Sequence, residues 1–210
     1  MSKSKNRGNG VYLFFKRFFD ITASLCALIV LALPMLIVAL VVRCDSKGPA
    51  LYRSTRVGKG GKEFTFLKFR TMKEGADEQL GDLLDKNEVE GGVIFKLTDD
   101  PRITRVGKFL RKYSIDELPQ LFCILKGDMS VIGPRPGTPR EVALYDERAE
   151  RRLEAPQGLS GEWQARKRSG TSFSEMIDMD IDYIDNKRGF FYDLKLILLT
   201  VVEVFRGKGK

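Results

Sequence analysis

Two adjacent carboxylates, Asp116 and Glu117, lie in the otherwise apolar stretch SIDELPQLF from Ser114 to Phe122. Such a pair is equipped for phosphoryl chemistry. An ionised aspartate can attack phosphorus and form an acyl phosphate. A neighbouring glutamate can act as base, or help hold Mg²⁺, which takes one or two carboxylates together with substrate phosphates. The same residues also read as a helix start. Ser114-x-x-Glu117 matches a capping box, Leu118, Leu121, Phe122 and Leu125 then share one face, and Gly127 suits the residue after the last turn. Pro119 sits one position deeper than such a start prefers, which moves the start later or distorts the first turn. In a first turn the positive helix end would favour the ionised carboxylate.

Cations gather around this pair in the sequence. Arg111 precedes Asp116 by five residues, and Arg135 is locked between Pro134 and Pro136 in GDMSVIGPRPG. Two prolines fix the backbone there, so a guanidinium that matches phosphate bidentately is held at low entropic cost. Lys68 and Arg70 alternate with Phe66 and Phe69 in FLKFRTM, so one strand face can present cations. Lys62, Arg166, Lys167 and Arg168 add charge for a lipid or nucleotide. Each of these also reads as a solvated side chain when taken alone. Asp178-Met179-Asp180 resembles a DxD metal motif, but SFSEMIDMDIDYI reads as a helix starting near Ser172 or Ser174. Residues i and i+2 do not face each other on a helix, whereas Asp178 and Asp182 share a face.

The elements that must position these groups begin with Ile21 to Val42, a run of 22 residues without charge. As a helix it reaches about 33 Å, against a bilayer core of roughly 30 Å. It is too long for a cleaved signal peptide, and no A-x-A-like site follows it. Pro34 removes the hydrogen bond to the Val30 carbonyl, so a bend is expected there. Both flanks are basic, with Lys16 and Arg17 before the run and Arg43, Lys47 and Arg53 after it. Basic flanks prefer the cytoplasmic side, and a bent helix that leaves by the leaflet it entered satisfies both. Beyond it, residues 50–72 read as a hairpin turning at Gly58-Lys59-Gly60-Gly61. Residues 74–92 read as a helix followed by a loop, Asp99-Asp100-Pro101 as a turn, and Ile103 to Leu110 as a short basic helix. Arg140 to Glu154 reads as a charged helix. Asp193 to Phe205 reads as an apolar helix too short to span, buried against the core or lying in the interface.

Composition narrows the chemistry. Lysine and arginine total 36 against 28 acids, and the net charge of +8 favours an anionic partner. No histidine is present, which excludes a His-dependent triad, a His-ligated metal and a histidine proton shuttle. Cys26, Cys44 and Cys123 form no zinc spacing, and their odd number suits a reducing compartment. No nucleic-acid motif accompanies the charge, so no nucleic-acid partner is expected.

Taken in order, KRFFDITASLCALIVLALP, LYRSTRVGKGGKEFTFLKFRTM, RKYSIDELPQLFCILKGDMSVIGPRP, GLSGEWQ and DLKLILLT resemble the bacterial sugar transferases. These are monotopic polyprenyl-phosphate phosphoglycosyl transferases. The resemblance runs from about Lys16 to Thr200 and is most specific from Asp116 to Pro136. It is to the short form, a catalytic unit without the extra N-terminal spanning helices of larger members.

The resemblance implies an α/β fold, mainly helical with a small β-hairpin. It carries a re-entrant helix broken at Pro34 and interfacial amphipathic helices, on the cytoplasmic face of the bacterial inner membrane. Four parts are expected: a basic arm (1–15), the re-entrant helix-hairpin (16–47), the catalytic domain (48–206) and a tail (207–210). The implied reaction moves a sugar-1-phosphate from a UDP-sugar to undecaprenyl phosphate and releases UMP, early in exopolysaccharide or lipopolysaccharide synthesis. It passes through a covalent phosphosugar on Asp116, with Mg²⁺ held at Asp116 and Glu117. Glu117 would activate the lipid phosphate or support the metal. Lys68, Arg111, Arg135 and Arg168 match the family's phosphate-binding positions, Arg70 is a weaker candidate, and Asp180 matches a recurring acidic position of unassigned role. Membrane lipids are expected partners, and relatives allow a homodimer. The stretch ARKRSG, with Arg166 and Lys167, departs from the small polar residues of many relatives, which points to a different loop shape and a different sugar. The competing expectation is a non-enzymatic, membrane-docked phosphate- or lipid-binding scaffold in which Asp116 and Glu117 only cap a helix. A single-displacement transferase using Asp178 and Asp180 is a further alternative.

Overall fold

The computed structural model describes residues 10–89, 93–95, 97–166 and 172–207. The first helix, α1 (Gly10–Asp45), is continuous through Pro34. It takes in residues 10–15, which the sequence reading assigned to the arm. Among the described residues it is the one helix long and apolar enough to cross a membrane. One stripe of α1 faces the rest of the protein. Lys16, Asp20 and Ser24 are buried at intervals of four, followed by Ala27, Leu28, Met35, Val38, Ala39 and Val42. Intervals of three and four keep residues on one helical face. The opposite face exposes Phe14, Ile29, Val30 and Leu33, the last three each 67–75 % accessible.

The hairpin forms as expected. Strands β1 (Leu51–Val57) and β2 (Glu63–Phe69) pair antiparallel around a turn in which Gly60 and Gly61 take positive φ. Only glycine adopts that region without a steric cost. Phe64 and Phe66 point from β2 into a core with Leu121, Ile124 and Met129. The chain then makes a long excursion whose two ends are tied together. Thr104 N–H donates to Thr71 O, Lys73 N–H donates to Arg102 O, and Arg102 pairs with Asp100 at 2.6 Å. Within it, the helix expected over 74–92 is a 3₁₀ helix at Glu78–Lys86.

Helix α2 (Arg105–Lys112) is capped by the Thr104 hydroxyl, and α3 (Gln120–Lys126) ends at Gly127 with φ 99°. Arg17 of α1 donates to the last carbonyls of α3, Ile124 O at 2.6 Å and Leu125 O at 2.7 Å. A second, unforeseen sheet joins β3 (Ser130–Ile132) and β4 (Gly158–Ser160) in parallel. Three-residue strands are too short to leave a period in the sequence. Between these strands the expected charged helix is split into α4 (Pro139–Val142), α5 (Glu147–Glu150) and a 3₁₀ turn, Arg151–Glu154. The cause is local. Thr138 and Asp146 each cap a separate start, and Arg152 and Tyr145 both turn inward. Helices α6 (Glu162–Arg166), α7 (Phe173–Asp182) and α8 (Phe190–Phe205) complete the chain. The Ser172 cap of α7 forms, with Glu175 closing the capping box. Helix α8 buries Leu196 and exposes Phe191, Leu198 and Phe205. Asp193 is buried on its inner face, where it accepts from Tyr12, Lys16 and Tyr183. The result is a mainly helical protein, with two small sheets among the described residues.

Candidate active site

Ser114 decides where the carboxylates point. It is the one non-glycine residue with positive φ among the described residues, at 54°. Helix α2 ends at Lys112 and a 3₁₀ turn begins at Ile115, so two residues must reverse the chain. A left-handed residue does this at a cost of roughly 1–2 kcal/mol. The expected capping box therefore does not form: the Ser114 side chain makes no cap, and Pro119 precedes the true helix start at Gln120. Glu117 faces cations instead. Lys68 Nζ lies 2.8 Å from Glu117 Oε1 and 3.6 Å from Asp116 Oδ2, and Arg135 approaches Glu117 at 3.6 Å.

Asp116 is 5 % exposed. Burial pushes its carboxyl above the ordinary aspartate value; Lys68 opposes this, the Glu117 charge adds to it, and Arg111 and Arg135 oppose it further. The first-turn effect expected from the sequence does not apply, because Asp116 precedes α3. Arg111 is steadied by Thr71, whose hydroxyl accepts from Nε at 2.9 Å. Asp116, Glu117, Lys68, Arg111 and Arg135 all border one cleft of about 1380 Å³.

The remaining candidates fall elsewhere. Arg70 borders the cleft, but its guanidinium donates to Ser46 O at 2.6 Å and Val42 O at 3.2 Å, and also to Lys47 O. It caps the end of α1, where cations suit the free carbonyls. Asp180 is fully enclosed and pairs with Arg152 at 2.8 Å. Neither it nor Asp178, which pairs with Arg148, borders the cleft. Among the described residues, those two aspartates thus lie apart from the cleft that holds Asp116 and its cations. Arg168 and Lys167 lie outside the described residues.

Two arginines escaped the sequence reading. Arg152 donates to Arg135 O at 3.1 Å, and Arg56 donates to Pro136 O at 3.2 Å. Together they grip the Pro134-Arg135-Pro136 loop. Trp163, also unforeseen, borders the cleft.

The family model for bacterial sugar transferases matches residues 11–207. This chain belongs to the bacterial sugar transferase family. It is 43 % identical over 199 residues to the galactosyl transferase CpsE of Streptococcus agalactiae serotype III, covering 94 % of this chain and 44 % of that protein. Identity is 39 % over 197 residues to the exopolysaccharide production protein ExoY of Sinorhizobium fredii, covering 92 % and 87 %. It is 40 % over 199 residues to the undecaprenyl-phosphate galactose phosphotransferase of Salmonella typhimurium, covering 93 % and 41 %. The chain thus spans under half the length of two of these relatives and most of the third. With α1 exposing an apolar face, this sugar transferase is membrane-associated.

Asp116 and Glu117 are the carboxylates at the cleft whose oxygens could serve a hard divalent cation, and both face the Lys68 ammonium. No group of three or more metal-donor side chains occurs among the described residues. Mg²⁺ suits such a site, since it completes its shell with water and substrate phosphates.

Proposed function

We propose that this sugar transferase moves a sugar-1-phosphate from a UDP-sugar to undecaprenyl phosphate and releases UMP. The observation that carries the reading is Asp116: a buried carboxylate on a cleft of about 1380 Å³ that Lys68, Arg111 and Arg135 also border. In the first step an Asp116 carboxylate oxygen attacks the sugar-bearing phosphorus. The bond to the UMP oxygen breaks, and UMP leaves with the electron pair. In the second step an oxygen of the lipid phosphate attacks the same phosphorus. Asp116 is released, and the sugar remains on the lipid through a diphosphate. Glu117 takes up any proton on the incoming lipid phosphate. Lys68, Arg111 and Arg135 hold the phosphates and oppose the charge that develops on their oxygens. Asp116 and Glu117 would hold Mg²⁺, which when bound screens the repulsion between an anionic nucleophile and anionic phosphorus. One carboxylate serves donor and acceptor in turn, so kinetics are ping-pong.

The reading places the site at the cytoplasmic face of the inner membrane, with α1 re-entrant around Pro34. Its support is that one folded unit holds both ends of α1, through Lys16 and Arg17 at one end and Arg70 at the other.

The test is Asp116→Asn. UMP release from UDP-sugars with undecaprenyl phosphate and Mg²⁺ should vanish, and a radiolabelled phosphosugar adduct, trapped on the wild type, should be missing. Membrane association should persist. A variant that turns over normally would overturn Asp116 as the nucleophile, whereas a wild type that releases no UMP from any UDP-sugar would make the scaffold reading the better one.

A further inference from the structure

The cleft around Asp116 has two chemically different halves. One holds Lys68, Arg111 and Arg135. The other is walled by Ala23, Ala27 and Leu31 of α1 and by Ile197, Val201 and Val204 of α8. Spacings of three and four place each set on one face of its helix. The two helices are joined at one end, where Lys16 meets Asp193 and the Phe19 and Phe190 rings stand edge to face. At the far end of α8, Gly207 lies against Lys112 and Tyr113. The outward sides of the same helices expose Leu33 and Leu198. The apolar half is therefore framed by helices that are apolar outside as well as inside. Ser24, on the α1 wall and 0 % exposed, has a hydroxyl with no hydrogen-bond partner among the described residues.

A UDP-sugar is polar at both ends and gains nothing from an apolar wall. The volume also exceeds the roughly 300–1,000 Å³ of a usual small-molecule pocket. An amphiphile with a phosphate head and a hydrocarbon tail matches both halves. We infer that the apolar half seats the first isoprene units of the acceptor, which enters sideways between α1 and α8 with its phosphate leading to Asp116. The inference rests on the proposed reaction for the identity of the lipid.

Val201→Trp and Val204→Trp fill the channel, while Leu198→Trp adds the same bulk to the outward face of α8. Losing contact with one or two apolar groups should raise KM for undecaprenyl phosphate about tenfold in the first two variants. The burst of UMP from donor alone should remain, and Leu198→Trp should leave KM near the wild-type value. An unchanged KM in both channel variants, or an equal rise in Leu198→Trp, overturns the inference. A second measurement is independent of turnover. A polyprenyl phosphate carrying benzophenone near its head should crosslink the intact protein at Leu31 or Val201. Adducts confined to Leu33 and Leu198 overturn it. If the wild type releases no UMP from any UDP-sugar, the proposed reaction falls, and the crosslinking map still decides the location of the lipid chain.

Discussion

Lys68 is the residue on which the two carboxylates depend. Among the ion pairs of the described residues its ammonium is the cation shared by both, and it opposes the effect of burial on Asp116. Lys68→Met should lower the rate of UMP release by about 10²–10³, the usual cost of deleting one preorganised electrostatic partner. Lys68→Arg should recover part of it. Initial rates at saturating donor check this, and a Met variant within threefold of wild type would remove Lys68 from the site. Arg152 acts at one remove. With both side chains 2 % exposed, Arg152→Met strands the Asp180 charge, at a cost of about 3–5 kcal/mol. The expected readouts are a lower Tm and, in protein kept folded at low temperature, a KM for the donor that rises more than kcat falls, because the Arg135 loop loses a grip. These two residues mark what the sequence reveals. Asp116, Glu117, Lys68, Arg111 and Arg135 were legible because their types have chemistry and their neighbours are apolar or rigid. Arg152 and Arg56 were not, since their partners Asp180 and Pro136 lie 28 and 80 residues away and sit in ordinary polar stretches.

Elements were legible where several signals agreed. For α7 the Ser172 cap, the Glu175 reply and the apolar spacing all pointed one way. At Ser114 the capping signature was complete, yet the nearness of α2 required a reversal, and the reversal won. The excursion over residues 73–102 left only a weak period because its order comes from a clasp, not from an amphipathic face. That clasp has a pH signature. Burial alone would raise the Asp100 carboxyl, but hydrogen bonds and charge from Arg102 hold it below the ordinary value of 3.8. A depressed folded value means the stabilisation is complete above the unfolded value and is lost as pH falls through the folded one. The Tm advantage of wild type over Asp100→Asn should thus be flat from about pH 7 to 5 and shrink below about pH 4. An advantage that grows on acidification would contradict the assignment. Gly133 belongs to the same scale. An added Cβ would run into the Pro156 carbonyl where β3 leads into the Arg135 loop. Gly133→Ala should displace that loop and weaken donor binding, measured as KM, more than it lowers Tm.

At the scale of the whole molecule, the question is how α1 meets the bilayer. A straight helix of 36 residues would be about 54 Å long, well beyond a bilayer core of roughly 30 Å. Its ends are nevertheless held by one folded unit. Lys16 reaches Asp193 at 2.9 Å, and Arg70 reaches the carbonyl of Ser46 at 2.6 Å. If α1 spanned the membrane, one of these attachments would have to break. Each is a hydrogen bond to a charged group, worth about 1.5–3 kcal/mol, and Lys16 and Asp193 would also lose a partner while buried. The exposed apolar sides of α1 and α8 instead suit a protein lying in one leaflet. Single cysteines at Gly10 and Lys47, with Cys26 and Cys44 replaced by serine and the buried Cys123 by alanine, test this in sealed vesicles. A membrane-impermeant maleimide should label both positions from the same face. Labelling from opposite faces would mean that α1 crosses the bilayer and that the attachments at Asp193 and Ser46 do not hold together in the membrane, and with them would fall the sideways entry of the lipid between α1 and α8.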